Sequence, residues 1–169
     1  MRISAVTLLV LSLWAIPASE ASAQSDFARR ILDVHNAERT ALDLPPLVWN
    51  ETLAAHAAAW AEHLAALGQF EHSPNADRAS EGENLWIGTA GWFTPEEMVG
   101  GWAQEKQFFR NGVFPDVSTS GGWHVVGHYT QMIWKSTTEV GCAVANGGGW
   151  DILVCRYSPP GNFVGEKAY

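Results

Sequence analysis

The sequence contains few basic residues and few cysteines, and both shortages narrow the classes of function that this protein can have. Its 169 residues hold 10 Lys and Arg against 18 Asp and Glu, for a formal net charge of −8. A chain with this balance is not built to neutralise phosphates, so we expect no nucleic-acid partner. Only two cysteines are present, neither in a CxxC pair, which disfavours a thiolate metal site.

Long apolar runs are also scarce. One run, Ile3 to Ile16, follows Met1 and Arg2, and small residues stand at positions 21 and 23. This pattern predicts a secretory signal at residues 1–23, because the run is too short and wrongly flanked for a membrane span. We expect a mature single domain at residues 24–169 that is monomeric, does not span a membrane and is secreted to the extracellular space (the periplasm in a bacterium).

The two cysteines lie in a predicted hairpin. Residues 140–145 and 152–157 resemble strands, and the Gly-rich segment 146–151 joins them. Symmetric pairing about that loop places Cys142 opposite Cys155, close enough for a disulfide. Export favours the oxidised bridge over the alternative of two reactive or metal-binding thiols.

Helical periodicity predicts three longer helices. The first covers Asp26–Thr40 and the second Glu51–Leu67, with Asn50 as its N-cap and Gly68 at its end. The third starts after Thr94, where Thr94, Pro95 and Glu97 form a capping-box pattern, and ends near residue 109. A short strand is expected near residues 83–87.

The stretch Gly127–Trp134 concentrates polar and apolar chemistry in eight residues. One interpretation is a short amphipathic helix with His128 at its wet edge, and the other places His128 at the rim of a cleft. Glu105 poses the same question, since it shares an apolar stripe with Trp102 and Phe109 and faces either water or a polar cleft. The irregular segment between them, residues 111–126, is long enough to be functional or mobile.

Four motifs, in order along the chain, resemble those of the CAP superfamily. They are His35-Asn36-x-x-Arg39, Gly82-Glu83-Asn84-Leu85, Gly127-His128-Tyr129-Thr130-Gln131-x-x-Trp134 and Cys155–Phe163. The superfamily includes cysteine-rich secretory proteins, antigen-five allergens and pathogenesis-related class-one proteins. The resemblance covers nearly all of the mature chain and implies an α+β fold, a three-layer α-β-α sandwich with a small antiparallel sheet between helices.

The resemblance also implies a tetrad of two histidines and two glutamates in a central cleft. Carried over by motif, these are His72, Glu83, Glu105 and His128. We expect His72 and His128 to bind zinc or another divalent cation directly, because neutral imidazoles suit such ions. Glu83 and Glu105 would then orient the imidazoles or hold metal-bound water, and both are candidates for a general base.

The function that follows is extracellular binding of an unnamed ligand or protein through this metal cleft. A buried structural network of the same four residues is the simplest alternative. A metal-assisted hydrolase or protease is another, with Ser73 beside His72 as a candidate nucleophile. The chain has no HExxH motif, and no nucleophile elbow surrounds Ser73, whose simpler role is turn bonding.

Two further functions come from the resemblance alone. Some family members bind sterols through the loop after the GHYTQ helix, which makes Met132, Ile133 and Trp134 lipid-binding candidates here. An exposed apolar patch at these residues would favour that function, and ordinary core packing is the alternative. In plants a C-terminal peptide is released as a signal, and residues 159–169 are similar except that Ala168 replaces a proline.

Overall fold

The computed structural model describes residues 18–78 and 80–169, with side chains from Asp26 onward. Its helices are α1 (Ala18–Thr40), α2 (Glu51–Leu67), α3 (Pro95–Ala103) and α4 (Gly127–Met132). Its strands are β1 (Val48–Trp49), β2 (Gly82–Thr89), β3 (Glu139–Gly147) and β4 (Trp150–Ser158). Short 3₁₀ turns cover Asn75–Arg78, Gln104–Phe108 and Trp123–Val125.

The described residues include only part of the predicted signal segment. Most of the expected signal segment, residues 1–17, lies outside the described residues, so cleavage after Ala23 stays a prediction. Helix α1 begins at Ala18 rather than Asp26, since no proline or glycine interrupts the residues between them. Within the described part of the chain, no helix has the length and apolar character needed to cross a membrane.

Helix α2 forms one outer layer of the fold and has the predicted bounds. The Asn50 side chain accepts hydrogen bonds from the backbone N–H groups of Thr52 and Leu53, at 2.8 and 3.1 Å. Gly68 ends the helix in the left-handed conformation, with φ at 64°. The buried stripe of α2, including Ala57 and Leu64, packs on β3 and β4.

The middle layer is a four-stranded sheet in the order β1-β3-β4-β2. Strands β3 and β4 form the predicted hairpin, and Cys142 pairs with Cys155 in register and in a disulfide, as expected. The sheet is not purely antiparallel, because β1 pairs parallel with β3. A two-residue strand after a proline pair is too short to show the alternation that predicts strands.

Helices α1, α3 and α4 form the opposite layer, which completes the α-β-α sandwich. Its core contains Met132, Ile133 and Trp134, each fully buried, together with Tyr157. Of the two alternatives for these residues, the structure has the core packing and not the exposed apolar patch that would favour lipid binding. Met132 ends α4, and the two residues after it continue into the same core.

The third helix is shorter than its pattern suggested. The capping box is present, with the Thr94 hydroxyl accepting from the Glu97 N–H and the Glu97 carboxylate accepting from the Thr94 N–H. The α-helix ends at Ala103, and the chain continues as the 3₁₀ turn Gln104–Phe108. A 3₁₀ turn has three residues per turn, so a period of 3.6 misplaces the side chains beyond Ala103.

The C-terminal segment, residues 159–169, is bound into the fold. The Phe114 N–H donates to the Glu166 carbonyl and the Lys135 N–H donates to the Ala168 carbonyl, each at 2.7 Å. The Ala168 side chain is fully buried. The segment therefore acts as a structural strap across the 111–126 region.

His35 is buried in α1 as a neutral imidazole. Its Nδ1 donates to the Ile31 carbonyl at 2.8 Å, and its Nε2 accepts from the Tyr157 hydroxyl at 2.9 Å. Burial lowers its pKa to about 4, and the nearby Arg39 charge acts in the same direction. Both charged-type residues of the first motif, His35 and Arg39, are therefore interior residues of the fold.

This burial predicts an acid-sensitive fold. The unfolded chain protonates His35 below a pH of about 6.5, whereas the folded chain does so only near pH 4. Stability should therefore fall as pH drops from about 6.5 towards 4, by about 3 kcal/mol at most. Thermal unfolding of His35→Gln should show a flatter pH dependence in that window. His63→Gln, an exposed control, should match the wild type, and a wild-type slope in His35→Gln would contradict the assignment.

Arg39 is buried and has no carboxylate partner within the described part of the chain. Its guanidinium donates to the backbone carbonyls of Pro45, Met132, Trp134 and Thr137, at 2.8 to 3.0 Å. Burial lowers its pKa to about 10, so it stays charged at neutral pH. The residue joins the end of α1 to the chain that leaves α4.

Replacing this guanidinium should be costly even when the charge is kept. Arg39→Lys leaves several buried carbonyls unsatisfied, because one ammonium cannot match the planar fork, and should cost about 3 kcal/mol in urea unfolding. Arg29→Lys, an exposed change in the same helix, should cost almost nothing. Equal costs for the two variants would show that the carbonyl contacts of Arg39 do not stabilise the fold.

Candidate functional site

A cleft of about 960 Å³ opens beside the sheet and contains both predicted site histidines. His72 comes from the segment after α2, and His128 from α4. Glu83 and Asn84 enter from the start of β2, and Gly161 and Asn162 come from the C-terminal strap. Three of the four sequence-predicted site residues, His72, Glu83 and His128, therefore line one cleft.

His72 is fixed by a carboxylate behind it. Its Nδ1 lies 2.7 Å from Oε1 of Glu83, whose side chain is fully buried, while the His72 side chain is 54% exposed. A carboxylate can only accept here, so Nδ1 carries the proton and donates it. The Nε2 atom of His72 is left with its lone pair.

Glu83 is the most heavily bonded group of the site. Besides His72, it accepts hydrogen bonds from the backbone N–H and the hydroxyl of Ser73, at 3.0 and 2.8 Å, and it forms an ion pair with Arg156 at 3.1 Å. Burial alone would raise the pKa of Glu83, but the bonds from His72 and Ser73 and the Arg156 charge outweigh it, and the pKa is lowered. Glu83 is therefore an ionised anchor.

Arg156 extends this anchor into a network. The residue lies directly opposite Glu83 in the sheet and is 3% exposed. It contacts the Ser73 hydroxyl at 3.0 Å and the Glu81 carboxylate at 3.4 Å, and Glu81 in turn accepts from His56 at 2.7 Å. The Ser73 hydroxyl thus donates a hydrogen bond to Glu83 and accepts one from Arg156, which argues against a role for Ser73 as a nucleophile.

His128 is held in the same manner by Glu105. Its Nδ1 donates to Oε1 of Glu105 at 2.6 Å, and its ring stacks on Trp102 with an interplanar angle of 17°. The other oxygen of Glu105 accepts the backbone N–H groups of His128 and Tyr129, both at 3.0 Å. Glu105 therefore caps the start of α4, which has no cap from its own chain neighbours.

Glu105 lies behind His128 and is not among the side chains that line the cleft. Its carboxylate contacts His128 and Tyr129 and does not line the polar cleft that is one of its two expected positions. The two carboxylates make equivalent contacts, each accepting a hydrogen bond from Nδ1 of one histidine. In each imidazole Nε2 has no hydrogen-bond partner among the described residues, and a neutral ring in this state can bind a metal.

Close packing explains one glycine of the site. A Cβ on Gly82 would stand 2.3 Å from Oε1 of Gln131, which itself accepts the Gly161 N–H at 2.9 Å. A larger residue at position 82 would displace the Gln131 amide from its bond to Gly161. The glycine of the GENL motif therefore makes room for this link between α4 and the C-terminal strap.

No group of three His, Cys, Asp or Glu side chains in the described part of the chain is arranged to hold a metal ion. The reason is visible in the bonding, because Glu83 and Glu105 direct their oxygens to protein donors. Protein ligands for a cation in the cleft are thus limited to the two imidazoles. His56 and His63, seven residues apart on α2, are boundary residues, one bonded to Glu81 and the other stacked on Trp60.

Sequence reasoning missed several cleft residues. Arg156 stands inside a recognised motif, but its partner Glu83 depends on β2 pairing with β4. Arg78, Trp123 and His124 line the cleft from segments without periodicity. No sequence signal marked those three residues.

A three-layer sandwich with two carboxylate-bound histidines in its cleft defines a CAP-type domain. A family model described as the cysteine-rich secretory protein family matches residues 32–157. The chain is 35% identical over 165 residues to pathogenesis-related protein 1C of Nicotiana tabacum, covering 96% of this chain and 90% of that protein. It is 33% identical over 188 residues to GLIPR1-like protein 1 of Homo sapiens, covering 99% of this chain and 74% of that one. The chain belongs to the CAP family.

Solved structures agree on the fold. Na-ASP-1 aligns with a TM-score of 0.71 and 23% identity, over 85% of this chain and 41% of that one. NaASP2, solved with Zn²⁺, aligns with a TM-score of 0.70 and 22% identity, over 86% of each chain. At these identities the likeness concerns the architecture only.

The bonding of Glu105 gives a testable prediction. Glu105→Gln replaces one acceptor oxygen with an NH₂ group, so either the imidazole or the start of α4 loses its partner. We expect a loss of about 1–3 kcal/mol in urea unfolding. Glu62→Gln, an exposed control on α2, should stay within about 0.5 kcal/mol of the wild type. A neutral Glu105→Gln would mean that α4 does not need this cap.

Proposed function

We propose that this protein binds a divalent cation, with zinc the best match, between His72 and His128, and acts as an extracellular binding protein. The observation that carries the proposal is the shared bonding of the two histidines. Each donates a hydrogen bond from Nδ1 to a buried or half-buried carboxylate, which leaves Nε2 to bind a ligand in the cleft. Such carboxylate–histidine pairs fix ring orientation and raise imidazole basicity at metal sites.

The site would bind its metal weakly. Zinc favours four ligands, and a cation held by two imidazoles must take the rest from water or from a bound partner. Open positions suit a binding role, since a partner supplying one more ligand would be held through the metal. One of the structural neighbours was solved with Zn²⁺, which supports zinc as the first ion to test.

Catalysis is less well supported. A metal-assisted hydrolase needs a carboxylate or imidazole free to take a proton. Glu83 accepts three hydrogen bonds and forms an ion pair with Arg156, and Glu105 accepts three hydrogen bonds, so the oxygens of both carboxylates are committed to protein donors. Ser73 is buried and bonded on both sides.

Extracellular action rests on the predicted signal segment at residues 1–23. The Cys142–Cys155 disulfide agrees with an oxidising compartment. A monomeric state remains part of the proposal. Lipid binding through Met132, Ile133 and Trp134 is not proposed, because these side chains are buried.

Calorimetric titration of the mature domain with zinc tests the proposal. We expect one ion per chain and a loss of binding in His72→Ala and in His128→Ala, because each removes one of two protein ligands. Binding should also weaken at acidic pH, where protons compete for Nε2. Glu105→Gln should weaken zinc by about tenfold, through His128.

The control is His63→Ala, which removes an exposed imidazole from α2 outside the cleft. It should bind zinc as the wild type does, and circular dichroism should show that all variants are folded. If the wild type shows no binding at millimolar zinc, the four residues form a structural network and the proposal fails. Equal zinc affinity in His72→Ala and the wild type would show that the metal binds elsewhere.

A further inference from the structure

We propose that the same cleft binds an organic carboxylate with an apolar body, using Arg78 to hold the carboxylate and Trp123 with Phe114 to hold the apolar part. This inference concerns the cleft of the proposed function but a different ligand. It does not require the metal, so the two proposals can fail separately.

Arg78 is the unusual charge of the cleft. Five other arginines in the described chain pair with carboxylates or, for Arg39, with carbonyls. Arg78 lines the cleft, bonds to the side chain of Asn75, and has no carboxylate partner among the described residues. In a chain of net charge −8, such a guanidinium is a local site for an anion.

The carboxylates near the cleft do not neutralise the charge of Arg78 at the cleft surface. Glu83 is fully buried, and the Glu81 side chain is 10% exposed. Arg156 lies between the two carboxylates, and His56 and His72 take their remaining oxygens. The acidic oxygens thus face protein donors, and a ligand in the cleft meets the donors of Arg78 and the ring of His124.

The wall formed by the 111–126 segment and the C-terminal strap is apolar. It is formed by Phe114, Pro115, Trp123, Pro160 and Val164. Trp123 remains 45% exposed and Val164 79% exposed, whereas Phe114 behind the indole is 4% exposed. Large apolar side chains exposed together in a concave site mark a ligand surface.

Trp123 is positioned rather than loose. Its ring packs on Phe114 with a centroid distance of 5.3 Å. Gly127 makes room for it, since a Cβ there would stand 3.0 Å from the indole. The Val126 N–H donates to the Trp123 carbonyl at 2.9 Å, which closes the short 3₁₀ turn. One side of the indole is covered, and the exposed remainder faces the cleft.

The chemistry therefore selects a ligand with one carboxylate and one acyl or aryl group. Two kinds of ligand have this chemistry, namely a peptide C-terminus with an apolar last residue and a medium-chain fatty acid. The cleft volume of about 960 Å³ accommodates either. A highly polar anion such as sulfate would leave the apolar wall uncovered.

The experiment is a calorimetric titration in EDTA, so that zinc has no part in it. The probes are N-acetyl-phenylalanine, octanoate and their uncharged amides. We expect both acids to bind and each amide to bind about tenfold more weakly. Arg78→Gln should reduce the acids to the level of the amides. Trp123→Ala should weaken acids and amides alike, because it removes apolar contact.

Matched controls separate these effects from general damage. Arg110→Gln removes an exposed arginine that pairs with Asp116 and does not line the cleft. Trp92→Ala removes a tryptophan that is 77% exposed outside it. Both should bind the acids as the wild type does, with thermal unfolding to verify that every variant is folded.

The outcomes decide the proposal in both directions. Tighter binding of N-acetyl-phenylalanine supports a peptide C-terminus, and tighter binding of octanoate supports a fatty acid. The proposal is overturned if the acids and amides bind equally, if Arg78→Gln leaves acid binding unchanged, or if neither acid binds at millimolar concentration. A failed zinc titration has no bearing on these results, and neither result depends on the other.

Discussion

A six-residue helix held at both ends by charged side chains is the constraint on which the rest of this structure depends. Helix α4 is too short to persist alone, because a helix of this length cannot offset the cost of nucleation. Glu105 accepts the N–H groups at its start, and Arg39 donates to the carbonyls that follow its end. Each charge stands where the helix dipole favours it. With α4 fixed, Trp134 enters the core and His128 faces the cleft.

The same carboxylates serve the fold and the site. Glu83 holds the His72 segment to the sheet while it orients the His72 ring, and Arg156 keeps its charge balanced in the interior. A buried ion pair is tolerated only when its remaining bonding capacity is satisfied, as nearly all of it is here, apart from the Arg156 Nε. Carboxylates whose bonding capacity is taken up by protein donors hold a ligand-binding residue such as His72 in a precise position. They make poor proton acceptors, and for this reason the proposed function is binding rather than catalysis.

Sequence reasoning succeeded where a local rule decided the structure. The caps of α2, the capping box of α3 and the register that joins Cys142 to Cys155 all follow from neighbours within a few residues. The four residues carried over by resemblance form two hydrogen-bonded pairs, His72 with Glu83 and His128 with Glu105, and their metal-binding role stays a proposal. Sequence reasoning failed where a partner comes from far along the chain or from irregular backbone. The bond of Arg156 to Glu83 needs the β2–β4 pairing, and Glu105 reaches α4 only because a 3₁₀ turn replaces the last turn of α3.

The strap formed by residues 159–169 has a consequence for how the protein matures. It lines the cleft through Gly161 and Asn162, and its carbonyls bind the N–H groups of Phe114 and Lys135. The cleft therefore cannot be complete until residues 159–169 have left the ribosome and packed against these partners. The capacity of the cleft to hold any ligand thus arrives together with the finished fold.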